Sequence, residues 1–62
     1  MVKIEIYNGS ERQFVVDTKG QNAHKDIFLI GINERIVLDV DDSQIIKISQ
    51  ELPKGAQMNV LG

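Results

Sequence analysis

Apolar and polar positions alternate with period two over much of this chain, and that alternation predicts strands. Val2-Lys3-Ile4-Glu5-Ile6-Tyr7 is the clearest case, with Ile4 and Ile6 on one face and Lys3, Glu5 and Tyr7 on the other. Asn8-Gly9 follows, a pair that accepts a positive φ at both positions and reads as a hairpin turn. Arg12-Gln13-Phe14-Val15-Val16-Asp17 is then the return strand. The stretch from Thr18 to Lys25 is polar and aperiodic and reads as the longest loop, with at most one helical turn starting at Asn22. Ile27 to Ile32 is apolar on both faces, as in a covered strand. Asn33-Glu34 is a turn, and Arg35-Ile36-Val37-Leu38-Asp39-Val40 alternates again.

The segment after Asp41-Asp42-Ser43 admits two readings. Ser43 as an N-cap would open a helix over Gln44–Leu52 that ends before Pro53, with Ile45, Ile48 and Leu52 on one stripe. Three isoleucines within Ile45-Ile46-Lys47-Ile48 favour a strand, and the strand is the preferred reading. Leu52-Pro53-Lys54-Gly55 is a turn, and Gln57 to Leu61 a last short strand. The fold class expected is all-β (mainly β): a five- to six-stranded meander or SH3-like barrel with one short helical turn at most, forming a single domain over 1–62.

Length sharpens this picture. A chain of 62 residues buries only ~60% of the surface its unfolded form exposes. It contains no cysteine and one histidine, His24, which removes disulfides and histidine- or cysteine-built zinc sites as supplements. The alternation places Val15, Ile27, Leu29, Val37 and Ile45 outward, an unusual number of branched aliphatics for so small a surface. A second copy covering them is the simplest solution, so a homo-oligomer is expected.

The net charge is −2. Lys3, Arg12, Lys19 and Lys25 outweigh three acids up to residue 25, whereas Arg35, Lys47 and Lys54 face six acids beyond it. No basic stripe of the kind duplex nucleic acid needs is present. No signal-peptide pattern opens the chain, and no apolar run approaches the ~20 residues that span a bilayer, so a cytoplasmic location without membrane attachment is expected.

Candidate chemistry is sparse. Ser10, Ser43 and Ser49 lack a nucleophile-elbow context, and a single histidine cannot complete a triad, so no catalytic residue and no cofactor is assigned. Asp39, Asp41 and Ser43 match the opening of a calcium loop. Gln44 then stands where the glycine belongs and Gln50 where the bidentate Glu belongs, so no metal is assigned. Lys19, Gly20, His24 and Lys25 form a donor-rich loop suited to a small anion such as a nucleotide. Arg12 joins them from the hairpin, and Tyr7 offers a ring for stacking.

Ile30-Gly31, Ile36 to Val40, Gln44 to Ile48 and Pro53-Lys54 together resemble the carbon-storage-regulator family of RNA-binding dimers. That resemblance implies an RNA-binding translational regulator. It covers about 25 residues of this chain. It leaves the Asn8-Gly9 hairpin without a counterpart, and Gln57-Met58-Asn59-Val60 stands in place of the family's basic strand. The stretch from Leu52 to Gly62 is similar to a segment of bacterial SH3-like domains. Neither resemblance assigns a family. The function expected is a non-enzymatic, homo-oligomeric binding protein that sequesters or blocks an anionic ligand or a protein surface, an inhibitor or sponge of the kind phages encode. RNA binding is the alternative.

Overall fold

The computed structural model describes residues 1–18 and 27–62. Over them the chain is mostly β, in the order β1 (Val2–Asn8), β2 (Phe14–Asp17), β3 (Ile27–Ile30), β4 (Arg35–Val40), α1 (Asp42–Glu51) and β5 (Ala56–Val60). No helix among the described residues is long and apolar enough to cross a membrane.

β1 is the organising strand. It pairs antiparallel with β4 on one side and β5 on the other, giving a three-stranded sheet in the order β4-β1-β5. Its alternation holds: Ile4 and Ile6 are fully buried, and Lys3, Glu5 and Tyr7 face outward. The register sets Ile4 between Leu38 and Val60, and Ile6 between Ile36 and Met58. One face of the sheet is therefore a continuous aliphatic surface. β2 and β3 form a separate two-stranded sheet, whose Val16 and Ile30 join Ile4, Ile6, Leu38, Val40 and Ile48 in one core. Phe14 and Phe28 pack on its margin.

Two expectations fail here. The first is the hairpin at Asn8-Gly9. β1 does not pair with β2, so the strands are not a meander of sequence neighbours. The positive-φ residues among those described are Asn33, Gly55 and Gly62, not Asn8 or Gly9. The reason lies in strand phase: Asn8 continues the inward series of Ile4 and Ile6 and is fully buried. Its amide donates to the carbonyls of Arg12 (2.9 Å) and Ile30 (3.0 Å). Its Oδ1 accepts from the Ser10 backbone N–H at 2.9 Å and lies 2.5 Å from the Ser10 hydroxyl. A buried amide with its donors and acceptor all engaged fixes the chain direction better than a turn would.

The second failure is the strand expected over Ile45–Ile48, which is helical. Asp41 is the N-cap, in extended conformation, and its carbonyl accepts the Gln44 N–H at 2.9 Å. Leu52, ahead of Pro53, returns to extended backbone, as proline requires of its predecessor. Within these bounds the helical stripe wins: Ile48 is buried, with Ile45 and Leu52 packed on the core, while Ile46 is 68% exposed. The β-preference of each isoleucine amounts to about 1 kcal/mol at most and yields to tertiary burial. Ile45 and Ile46 accordingly exchange the sides that a strand would give them.

Two turns stand where expected. Glu34 N–H bonds to the Gly31 carbonyl at 3.1 Å, with Asn33 at φ 63° in the third position. Ala56 N–H bonds to the Pro53 carbonyl at 3.1 Å, with Gly55 at φ 98°. Positive φ at that position is the type II requirement, which Gly and Asn meet.

Replacing Asn8 by Ala removes a donor from the buried Ile30 carbonyl and another from the Arg12 carbonyl, and removes the acceptor of the Ser10 N–H. This variant should lose about 2–3 kcal/mol of unfolding free energy, against roughly 3–9 kcal/mol for a domain of this length. Ser10→Ala should lose about 1 kcal/mol. Urea titration measures both, and an Asn8→Ala loss below about 0.5 kcal/mol would contradict the role given to this amide.

Candidate functional site

Three surfaces on the described residues carry features that a bare scaffold does not require. The first is a broad depression of about 570 Å³ between the loop after β1 and the turn before β5. Asn8 shapes the loop from below, and the Ser10 hydroxyl lies 2.8 Å from the Arg12 carbonyl. Glycine decides how close the turn comes: a Cβ on Gly9 would sit 2.6 Å from the Gly55 carbonyl oxygen. The contact of Gly9 with Gly55 brings Lys54 and Arg12 to the rim of one depression, with Ser10, Phe14 and Pro53 in its lining and Glu11 beside them. Arg12 is thus in a pocket, as a ligand-binding residue should be. Lys54 was not singled out by sequence, because no local pattern links a turn at 53–56 to a glycine more than forty positions earlier.

Tyr7 occupies a different setting. Arg35, its cross-strand partner, lies over the ring with its guanidinium carbon 5.3 Å from the centroid. Arg35 Nε is 3.8 Å from Glu5 Oε1, and the Tyr7 hydroxyl donates to Asn33 Oδ1 at 3.3 Å. One ring face is therefore covered by the protein's own cation, and Tyr7 does not line the depression that holds Arg12. Lys19, Gly20, His24 and Lys25, the loop proposed for an anion, lie outside the described residues.

The second surface is the outer face of the β2–β3 sheet. Val15 pairs with Leu29 and Asp17 with Ile27, so all four share one side. Val15, Leu29 and Ile27 are 61, 57 and 56% exposed. Val37, on the outer face of the other sheet, is 51% exposed. These four aliphatics point outward as their strand phase requires.

The third surface is a groove of about 180 Å³ between β2 and α1. Phe14, Val15, Val16 and Asp17 line one side, and Gln44, Lys47, Ile48, Glu51 and Leu52 the other. Gln44 Oε1 is buried without a hydrogen-bond partner among the described residues, a condition that costs about 1–3 kcal/mol for an amide oxygen. Sequence reasoning missed Gln44 because the strand reading of this segment gave it no particular side.

The acidic run has a structural use. Asp41 occupies the N-cap position of α1 without a side-chain cap bond, Asp42 sits in its first turn, where the helix dipole favours negative charge, and the Ser43 hydroxyl donates to Asp41 Oδ2 at 3.2 Å. Among the described residues no group of three His, Cys, Asp or Glu is placed to hold a metal ion. Gln44 to Ile48, counted as a strand in the resemblance to the carbon-storage regulators, is part of this helix. Comparison with protein-family models, curated proteins and solved structures finds no match.

Calcium or magnesium at about 1 mM should leave Tm within about 1 °C. A site of ~10 μM affinity would instead add about 2.7 kcal/mol and raise Tm by several degrees. Differential scanning fluorimetry with and without a chelator distinguishes the two.

Proposed function

We propose that this chain is a non-enzymatic binding protein that works as a homo-oligomer and blocks or sequesters a partner. The observation that carries the reading is the outer face of β2–β3, where Val15, Ile27 and Leu29 stand more than half exposed on a sheet of only two strands. An isolated two-stranded sheet is marginal in water, and contiguous exposed aliphatics mark interaction surfaces. The core beneath consists, among the described residues, of seven buried aliphatics, little for an independent fold. A second copy supplements both.

Sedimentation equilibrium between about 1 and 100 μM is the test. The expected result is a dimer or larger species in that range, and a monomer throughout rejects the reading. A Val15→Asp, Leu29→Asp double variant should weaken self-association at least about 10²-fold, since burying each aliphatic contributes of order 1–2 kcal/mol. Val37→Asp, on the other sheet, should leave it within about threefold, well under 1 kcal/mol.

A second reading rests on the depression between the loop and the turn. Arg12 and Lys54 on one rim suit a small multiply charged anion such as a nucleotide phosphate, with each charge-assisted contact contributing about 1.5–3 kcal/mol. Pyrophosphate at about 5 mM should raise Tm by about 2 °C or more, and an Arg12→Ala, Lys54→Ala double variant should abolish the rise. No rise in the parent protein rejects an anion site here.

A further inference from the structure

We propose that Asn8 is a modification site gated by folding: its side chain deamidates when the chain opens, and the product cannot rebuild the fold.

The dipeptide sets the chemistry. Of the four asparagines in the chain, Asn8 alone precedes a glycine. The Gly9 backbone nitrogen loses its proton to solvent and attacks Asn8 Cγ. A bond forms from that nitrogen to Cγ, the bond from Cγ to Nδ2 breaks, and Nδ2 takes a proton from solvent and leaves as ammonia. The five-membered imide that results adds water and opens to aspartate or isoaspartate at position 8. Water is the only co-reactant. Glycine favours the attack because it has no Cβ to shield the nitrogen or to restrict the backbone turn that brings it to Cγ.

The fold blocks each stage. Cγ must pass from planar to tetrahedral, but Nδ2 is held by the Arg12 and Ile30 carbonyls and Oδ1 by the Ser10 N–H. The backbone cannot swing freely, because the Asn8 N–H and C=O are bonded to Glu34 and Asn33 and Gly9 lies against the Gly55 carbonyl. Asn8 is fully buried, so water reaches neither the leaving nitrogen nor Cγ. The reaction therefore proceeds from locally opened molecules.

The change is one-way. In an aspartate at position 8 an oxygen takes the place of Nδ2, which now lies 2.9 Å from the Arg12 carbonyl oxygen and 3.0 Å from that of Ile30. Three acceptors would then meet with no proton between them, one of them a buried charge. In isoaspartate the main chain runs through the side-chain carbon and is one atom longer where β1 meets the loop. Openings that last long enough for the reaction thus remove molecules from the folded pool, a lifetime limit set by the residue that joins the two sheets.

Incubation of the full chain at mildly alkaline pH, in buffer and in urea, is the test. Peptide mapping by mass spectrometry locates the exchange of NH2 for OH. Deamidation at Asn8 should be at least about 10²-fold slower in buffer than in urea, as follows if only an opened fraction under about 1% reacts. Ser10→Ala should narrow that ratio at least about threefold, since losing the hydroxyl contact raises the opened fraction. After removal of urea, limited proteolysis should digest the deamidated chain and spare the unmodified one. No deamidation at Asn8 in urea overturns the site. Equal rates in buffer and urea overturn the gate, and a faster reaction in buffer does so too, by showing that the Ser10 contacts to Oδ1 promote the attack. A ratio unchanged by Ser10→Ala overturns the role of the amide network in the protection. A deamidated chain that resists protease as the parent does overturns the one-way step.

Discussion

One side-chain amide joins parts of this molecule that no strand pairing connects. Asn8 ends the central strand, yet its amide reaches the Arg12 carbonyl in the following loop and the Ile30 carbonyl at the end of β3. Its backbone completes the junction: Asn8 N–H donates to the Glu34 carbonyl at 2.9 Å, and Asn33 N–H donates to the Asn8 carbonyl at 2.8 Å. The three-stranded and two-stranded sheets thus meet at one fully buried polar residue. The arrangement is stable because the group is saturated. A buried amide left half-paired would cost about as much as the whole network contributes. The same network holds the 9–13 loop against the Gly55 turn and so sets Arg12 near Lys54.

How far this was legible in the sequence depends on the range of the physics involved. Alternation is local, and it correctly placed Ile4, Ile6, Leu38 and Val40 inside and Val15, Leu29 and Val37 outside. Turn chemistry is also local, and Asn33 and Gly55 adopt the positive φ their positions require. Asn8 exposes the limit. Its side chain has turn propensity, but its phase, two residues beyond Ile6, is inward, and phase prevailed once distant carbonyls were available to satisfy it. α1 shows the same conflict in reverse. Ile45, Ile46 and Ile48 prefer strand as residues, whereas the 45–48–52 stripe bounded by Asp41 and Pro53 is helical, and the core took the stripe. The placement of Lys54 and of the buried Gln44 oxygen depends on contacts between distant segments, which no window of sequence contains.

These features converge on a shortage of interior. Among the described residues seven aliphatics form the buried core, while Val15, Ile27 and Leu29 remain at the surface. Each is tolerable singly. Together they leave a half-exposed aliphatic face over a small core, the surface on which the proposed self-association rests.

That account has a direct thermodynamic signature. If folding and self-association are linked, mass action makes thermal stability depend on protein concentration. Melting curves recorded by circular dichroism at about 2, 20 and 200 μM should show Tm rising by roughly 3–6 °C for each tenfold step, the scale expected for a dimer of this size. A Tm that stays constant across the hundredfold range would show that the protomer is complete alone and would contradict the account.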